Sequence, residues 1–301
     1  MSLPESTRRL VVVDAPSNLG LRPPEDGAVP GCYKAPGVLR DAGLLARLGA
    51  RDGGVVTPGR YRPGRANSEV RNEAAIVDHS LRLAERLQPI IADRDMPVVL
   101  GGDCSILAGV GLALRRSGRF GLISFDGLDY RHPGNSDAVG SAGGESLALV
   151  TGLGGTLADL DGLRPYVRST DVVSIGSRPG DEFEDEVAKN GLRVFDAHTV
   201  GRDPARVAHQ ARDVMERSDL DGFWVHLDVD VIDPDLMPAV DSPEPGGLTF
   251  DDLATVLRPL TASPRVVGLD VTIYDPDLDP DLRYGRRIAD LLVTVLAGGM
   301  S

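Results

Sequence analysis

Short apolar runs rich in β-branched residues alternate along the chain with longer stretches whose apolar residues recur every three or four positions. The short runs predict strands at 10–13, 54–56, 97–100, 121–125, 171–175, 192–195, 222–228 and 265–271. The longer stretches predict helices at 36–48, 69–92, 106–116, 181–190, 204–217, 249–257 and 286–296. In the stretch from Glu69, residues Val70, Ala74, Val77, Leu81 and Leu87 fall on one helical stripe that needs burial. Thr249 with Asp252 three residues later has the form of a capping box. Strand–helix alternation of this kind predicts an α/β fold with three layers, α/β/α, around a mostly parallel sheet of about eight strands. Ligands of such sheets sit beyond the carboxyl ends of the strands, so the informative loops are those that follow strands.

Composition narrows the partners. The chain has 301 residues, 42% of them hydrophobic, enough for a substantial core, and no Pro/Gly/Ser linker divides it, so 1–301 reads as one domain. A net charge of -13 argues against nucleic acid and against an acidic membrane surface. Two cysteines, Cys32 and Cys104, make no disulfide framework and fit a reducing cytoplasm. The opening segment, 1–10, lacks the apolar core of a signal peptide, and no run approaches the length of a membrane span. A small-molecule ligand is the partner left.

Three strand ends carry the chemistry. They are Gly101-Gly102-Asp103-Cys104-Ser105, Asp126-Gly127-Leu128-Asp129-Tyr130, and His226-Leu227-Asp228-Val229-Asp230. Asp228 and Asp230, two residues apart, share a face of an extended strand, and His226 precedes them on that same face. In this order the three segments resemble the metal-binding segments of the ureohydrolases: arginase, agmatinase and formimidoylglutamase. Flanking blocks agree: Lys34 to Leu44, Glu244-Pro245-Gly246-Gly247-Leu248-Thr249, and Val267 to Val271 followed by Tyr274-Asp275-Pro276. The resemblance covers nearly the whole chain and implies the arginase-like fold, a homo-oligomer (trimer or hexamer), and a site that in the family holds two manganese ions. Asp126, Asp228 and Asp230 match three of the family's metal-ligand carboxylates. Cys104 and Leu128 stand where two ligand histidines are expected, Tyr130 stands at a ligand aspartate, Gly143 near the acid–base histidine, and Ile273 at the glutamate that clamps the guanidinium.

From these matches we expect Asp126, Asp228, Asp230, Cys104 and His226 to form the catalytic set, with Tyr130, Arg131, His132 and Glu145 shaping the substrate. Cys104 is open to three readings: a thiolate ligand, a nucleophile, or a small side chain filling a vacated position. His226 is open to two, a pocket role or a core histidine bonded to backbone. Asp103 reads as the organiser of a Gly-rich turn. The loss of ligands predicts no cofactor at full occupancy; if any is present, it is one weakly bound divalent cation, Mn or Mg, on Asp126, Asp228 and Asp230. The function expected is that of a diverged arginase-fold enzyme acting on a small nitrogenous or amino-acid-like substrate through its aspartates, without the two-manganese centre. The alternatives are a non-catalytic binding or scaffold relative, and a metal-dependent ureohydrolase cleaving a guanidino or formimino C–N bond with unusual ligands.

Overall fold

A computed structural model describes residues 8–65, 68–137 and 139–297; the opening segment 1–7 lies outside the described residues. Eight strands form one sheet: β1 Leu10–Ala15, β2 Arg51–Val55, β3 Met96–Gly101, β4 Phe120–Phe125, β5 Val172–Ile175, β6 Arg193–Phe195, β7 Gly222–Asp228 and β8 Val266–Thr272. Their order is β2-β1-β3-β8-β7-β4-β5-β6. Every pairing is parallel. Because side chains alternate across a strand, each strand feeds two cores. Val11, Val13, Val99, Leu122 and Val172 pack with the helices Glu73–Ala92 and Ile106–Ser117. Val12, Val98, Leu100, Ile123, Val173 and Val225 point the other way, into a core completed by the helices Pro204–Met215, Phe250–Thr261 and Arg283–Leu296. The expected three-layer α/β/α fold is what forms.

Local differences have local causes. The helix expected over 36–48 is two helices, Ala35–Asp41 and Leu44–Arg47, because Gly43 sits between them at φ +77, a left-handed conformation that only glycine adopts at little cost. Thr249 caps Phe250–Thr261 as its sequence predicts, its Oγ1 accepting from Asp252 N at 3.0 Å. That helix outruns the expected end at 257: Pro259 lies inside it and gives up its own N–H bond to the preceding turn, yet the chain stays helical beyond it, Ala262 N donating to Arg258 O at 3.0 Å. The helices Ser146–Val150 and Ala197–Arg202 are too short for periodicity to reveal. Among the described residues no helix is long and apolar enough to cross a membrane.

The topology reverses direction at the centre of the sheet. After β3 the chain skips the places of β8 and β7, lays down β4 to β6, and returns to fill the gap. The carboxyl ends of β3, β8, β7 and β4 therefore open onto one crevice at the switch point.

Candidate functional site

Strand register assembles the floor of that crevice. Pairing of β4 with β7 matches Ser124 to His226 and Phe125 to Leu227, so the residues that follow, Asp126 and Asp228, emerge side by side. On the opposite edge of β7, Trp224 faces Gly268, His226 faces Asp270 and Asp228 faces Thr272. Trp224, His226 and Asp228 share one face of β7. The indole of Trp224 takes the space a side chain at position 268 would need, since a Cβ there would lie 2.0 Å from the ring. From that position Trp224 Nε1 donates to Asp270 Oδ1 at 2.5 Å, and His226 Nδ1 donates to Asp270 Oδ2 at 2.5 Å. All three side chains are fully buried.

The loop after β3 brings in the fourth component. Gly102 passes so close to the segment after β1 that a Cβ would sit 1.6 Å from the Ser17 carbonyl oxygen. Asp103 locks this approach, accepting from Ser17 Oγ (2.8 Å), Gly20 N (3.2 Å) and Ser105 N (2.8 Å). Its satisfied carboxylate is the turn organiser that its Gly-rich setting implies. Cys104 is thereby aimed inward, its Sγ 2.8 Å from Asp228 Oδ2 and 3.1 Å from Thr272 Oγ1.

Cys104, Asp126, His226 and Asp228 each present a ligand-type atom, and these atoms all lie within 4.8 Å of one another. Two of them, Asp126 Oδ2 and His226 Nε2, are buried without a hydrogen-bond partner and stand 3.6 Å apart, too far to bond each other. Asp228 differs: its Oδ1 accepts from Asp230 N at 2.9 Å and its Oδ2 faces the thiol. Two unsatisfied polar atoms this close together fit a cation between them, because leaving each unpaired would cost about 1–3 kcal/mol. The donor set therefore fits one ion.

Electrostatics agree. Burial, then the neighbouring charges of Asp230 and Asp126, pushes the Asp228 carboxyl well above the usual range. Asp129 and Asp230 are partly exposed on the cleft floor, yet loss of water followed by the charge of Asp126 raises both. Burial and the same carboxylates push the Cys104 thiol up. For His226 burial opposes protonation, but the carboxylates of Asp270 and Asp126 outweigh it and lift the imidazole to about 10, so without an ion Nε2 holds a proton that a bound cation would have to displace. Surplus negative charge withdrawn from water attracts a cation.

Above this floor lies a cleft of about 200 Å³ lined by Cys104, Asp126, Asp129, Asp228, Asp230 and Asp181 among others, with Leu128 and Ile273 as apolar walls. It continues past Leu21, Arg131 and Gly144 into a wider chamber of about 720 Å³. Of the expected catalytic set, Asp126, Asp228, Asp230 and Cys104 line the inner cleft, and His226 lies directly beneath it, bonded to Asp270 rather than to backbone. Asp230 stands outside the group of four. Of the expected substrate-shaping residues, Arg131 lines both chambers and Glu145 borders the outer one, where its carboxylate accepts from the backbone of Ser141 at 3.0 Å. Tyr130 and His132 do not line the cleft. Tyr130 is fully buried with its hydroxyl accepting from Asn190 Nδ2 (3.0 Å), and His132 Nε2 meets Glu186 at 2.8 Å.

Two residues that the sequence reading left without a role stand out. Asp129 enters the cleft because the chain turns tightly after Leu128, Tyr130 N donating to Leu128 O at 2.5 Å, which puts the acid one place earlier than the family spacing suggests. The signal was present as a second acid in the same strand-end segment. Asp270, the partner of His226, carried no signal within its own segment. Arg178, also at the cleft, is tied to backbone carbonyls, donating to Asp230 O at 3.0 Å, and joins two loops.

Residues 13–298 match the model of the Arginase family. An arginase of Agrobacterium fabrum is 33% identical over 288 residues, spanning 89% of this chain and 87% of that one. The crystal structure of an arginase from Bacillus subtilis superposes with a TM-score of 0.84 at 26% identity, covering 96% of this chain and 98% of its own. A formimidoylglutamase from the same species, at 19% identity and a TM-score of 0.73, shares the fold. These matches, together with the four converging donors, correct the expectation that the chain keeps no cofactor: Cys104, Asp126, His226 and Asp228 form a group that could hold a metal ion. Matched along nearly its full length, the chain belongs to the arginase family.

Proposed function

We propose that this protein hydrolyses a C–N bond of a small cationic guanidino, amidino or formimino compound with the help of a divalent metal ion. The observation that carries the reading is the acid-lined cleft lying directly over four buried metal donors. Asp129, Asp181 and Asp230 favour a planar cation in the inner cleft, and the net charge of -13 draws cations toward it. Leu128 and Ile273 give that cation an apolar wall and exclude water from one side. Asp126, Asp228, Cys104 and His226 would hold the ion. When bound, such an ion supplies Lewis acidity and lowers the pKa of water toward neutrality. The Asp129 carboxylate, held by Ser146 Oγ at 3.4 Å, is placed to take a proton and return it to the leaving amine. Arg131, where the two chambers meet, suits a carboxylate on the tail of an amino-acid-like substrate.

Family membership supports extending the proposal to a homo-oligomer of three or six chains in the cytoplasm, the first part of which light scattering tests. For the reaction, chelated protein is reloaded with Mn(II) or Zn(II) and incubated with arginine, agmatine and formimidoylglutamate, while urea, formamide and amine are measured. Turnover of at least one compound, abolished by Asp228→Asn, is expected. No product from any of them with either metal would overturn the proposal.

A further inference from the structure

We infer that Cys104, Asp126, His226 and Asp228 form a mixed sulfur, nitrogen and oxygen site selective for one zinc-type cation over the hard ions Mn(II) and Mg(II). The inference deepens the metal-assisted reading above by naming the ion and its donors.

The first argument is the closeness of the free atoms. His226 Nε2 and Asp126 Oδ2 are 3.6 Å apart, buried and without hydrogen-bond partners. Tetrahedral zinc, with bonds of roughly 2.0 Å to N and O and 2.3 Å to S, sets its donors roughly 3.3–3.8 Å from one another. The His226–Asp126 separation already lies in that interval, and all four donor atoms lie within 4.8 Å, so shifts of an ångström or less close the shell.

The second argument is the support behind the imidazole. His226 Nδ1 is committed to Asp270 Oδ2 at 2.5 Å, and Asp270 is held from its other oxygen by Trp224 Nε1. A carboxylate that fixes one ring nitrogen leaves the other as the lone-pair donor and orients the ring, the arrangement that supports metal-ligating histidines. A core histidine kept only for packing would need no buried anion behind it, since burying that anion carries its own cost.

The third argument is softness. Mn(II) and Mg(II) favour oxygen shells, whereas a thiolate with an imidazole favours zinc. Cys104 is the one soft donor in the cleft, and Asp103 holds its loop rigidly in place. Asp129 and Asp230 line the same cleft outside the donor group, which leaves them for substrate.

Binding is measured rather than turnover, so this inference and the proposed reaction can fail separately. Chelated full-length protein is titrated with Co(II) as a spectroscopic stand-in for zinc, then challenged with Zn(II) and with Mn(II). One Co(II) per chain, a sulfur-to-cobalt charge-transfer band in the near ultraviolet, displacement by Zn(II) and resistance to a hundredfold excess of Mn(II) are expected. Cys104→Ser should lose the band, and His226→Ala should weaken Zn(II) binding about a hundredfold, as loss of a direct ligand requires. Melts of the chelated variants establish that they fold. If His226→Ala does not, X-ray absorption at the zinc edge of the wild-type protein must still show one sulfur in a shell of nitrogen and oxygen. A cobalt complex without the band, tighter binding of Mn(II) than Zn(II), or wild-type affinity in folded His226→Ala would each overturn the assignment. Zinc loading as described, without hydrolysis of arginine, agmatine or formimidoylglutamate, would uphold this inference and remove the proposed reaction.

Discussion

Asp270→Asn tests the support behind the metal donors while changing one atom. Asp270 accepts two hydrogen bonds, from Trp224 Nε1 and from His226 Nδ1, each at 2.5 Å. Asparagine offers one acceptor oxygen and one amide nitrogen. If its oxygen stays with Trp224, its NH2 faces His226 Nδ1, and that nitrogen must become the acceptor. The ring proton then moves to Nε2, the atom that faces Asp126, and the lone pair needed by the ion is lost. If the amide flips, its NH2 meets the indole N–H instead, and a buried donor goes unpaired at a cost of about 1–3 kcal/mol. Loss of a carboxylate behind a ligating histidine weakens metal binding about 10–100-fold. At 1.4 kcal/mol per tenfold change that is roughly 1.4–2.8 kcal/mol. Trp224 is the chain's one tryptophan, so its fluorescence reports loading directly. Zinc titrations of chelated wild type and variant, read by that signal and checked by chelator competition, measure the affinity; thermal melts of the chelated proteins measure the fold. Wild-type zinc affinity in a folded Asp270→Asn protein would refute the reasoning, because His226 would then be binding without its carboxylate or not binding at all.

Further expectations concern packing, pH and substrate. Gly268→Ala forces a Cβ to within 2.0 Å of the Trp224 ring, so it should destabilise by about 1–3 kcal/mol in denaturant melts and shift tryptophan fluorescence. His79 is buried with Nε2 on Val56 O at 2.9 Å, and burial holds its pKa below 6.5. The unfolded chain therefore binds more protons between the two values: the stabilisation is complete above 6.5 and is lost as pH falls through the folded value. Melts between pH 8 and 5 should show a shallower acid loss in His79→Gln than in wild type. Arg131→Ala should raise KM for a carboxylate-bearing substrate about tenfold with little change in kcat, the cost of one exposed charged contact. An equal KM for carboxylate-bearing and carboxylate-free substrates in wild type would remove Arg131 from substrate recognition.

What the sequence determined by itself was local. Strand ends at β4 and β7 were legible because apolar runs stop abruptly at acids, and parity along a strand placed His226 and Asp228 on one face; Asp230, expected there too, falls in the 3-10 turn Val229–Val231 beyond the end of β7. Asp103 was legible as a turn organiser because glycines precede it. Tertiary structure alone decided which groups meet. Cys104 reaches Asp228 across 124 residues of chain, and His226 meets Asp270 across 44, through the β7–β8 register and the space left by Gly268. No local pattern encodes such pairings, since they depend on strand order, and the order here runs out of sequence at the centre of the sheet. The same reason explains Tyr130 and Asp129. Their spacing suggested that position 130 faces the ligand, but the tight turn after Leu128 sends the Tyr130 ring into the core, its hydroxyl meeting Asn190 at the surface, and Asp129 into the cleft. The metal question turned on this distinction: residue types at family positions read as a loss, whereas donors gathered at the ends of β3, β4 and β7 make a group that could hold an ion, because coordination depends on atoms meeting in space.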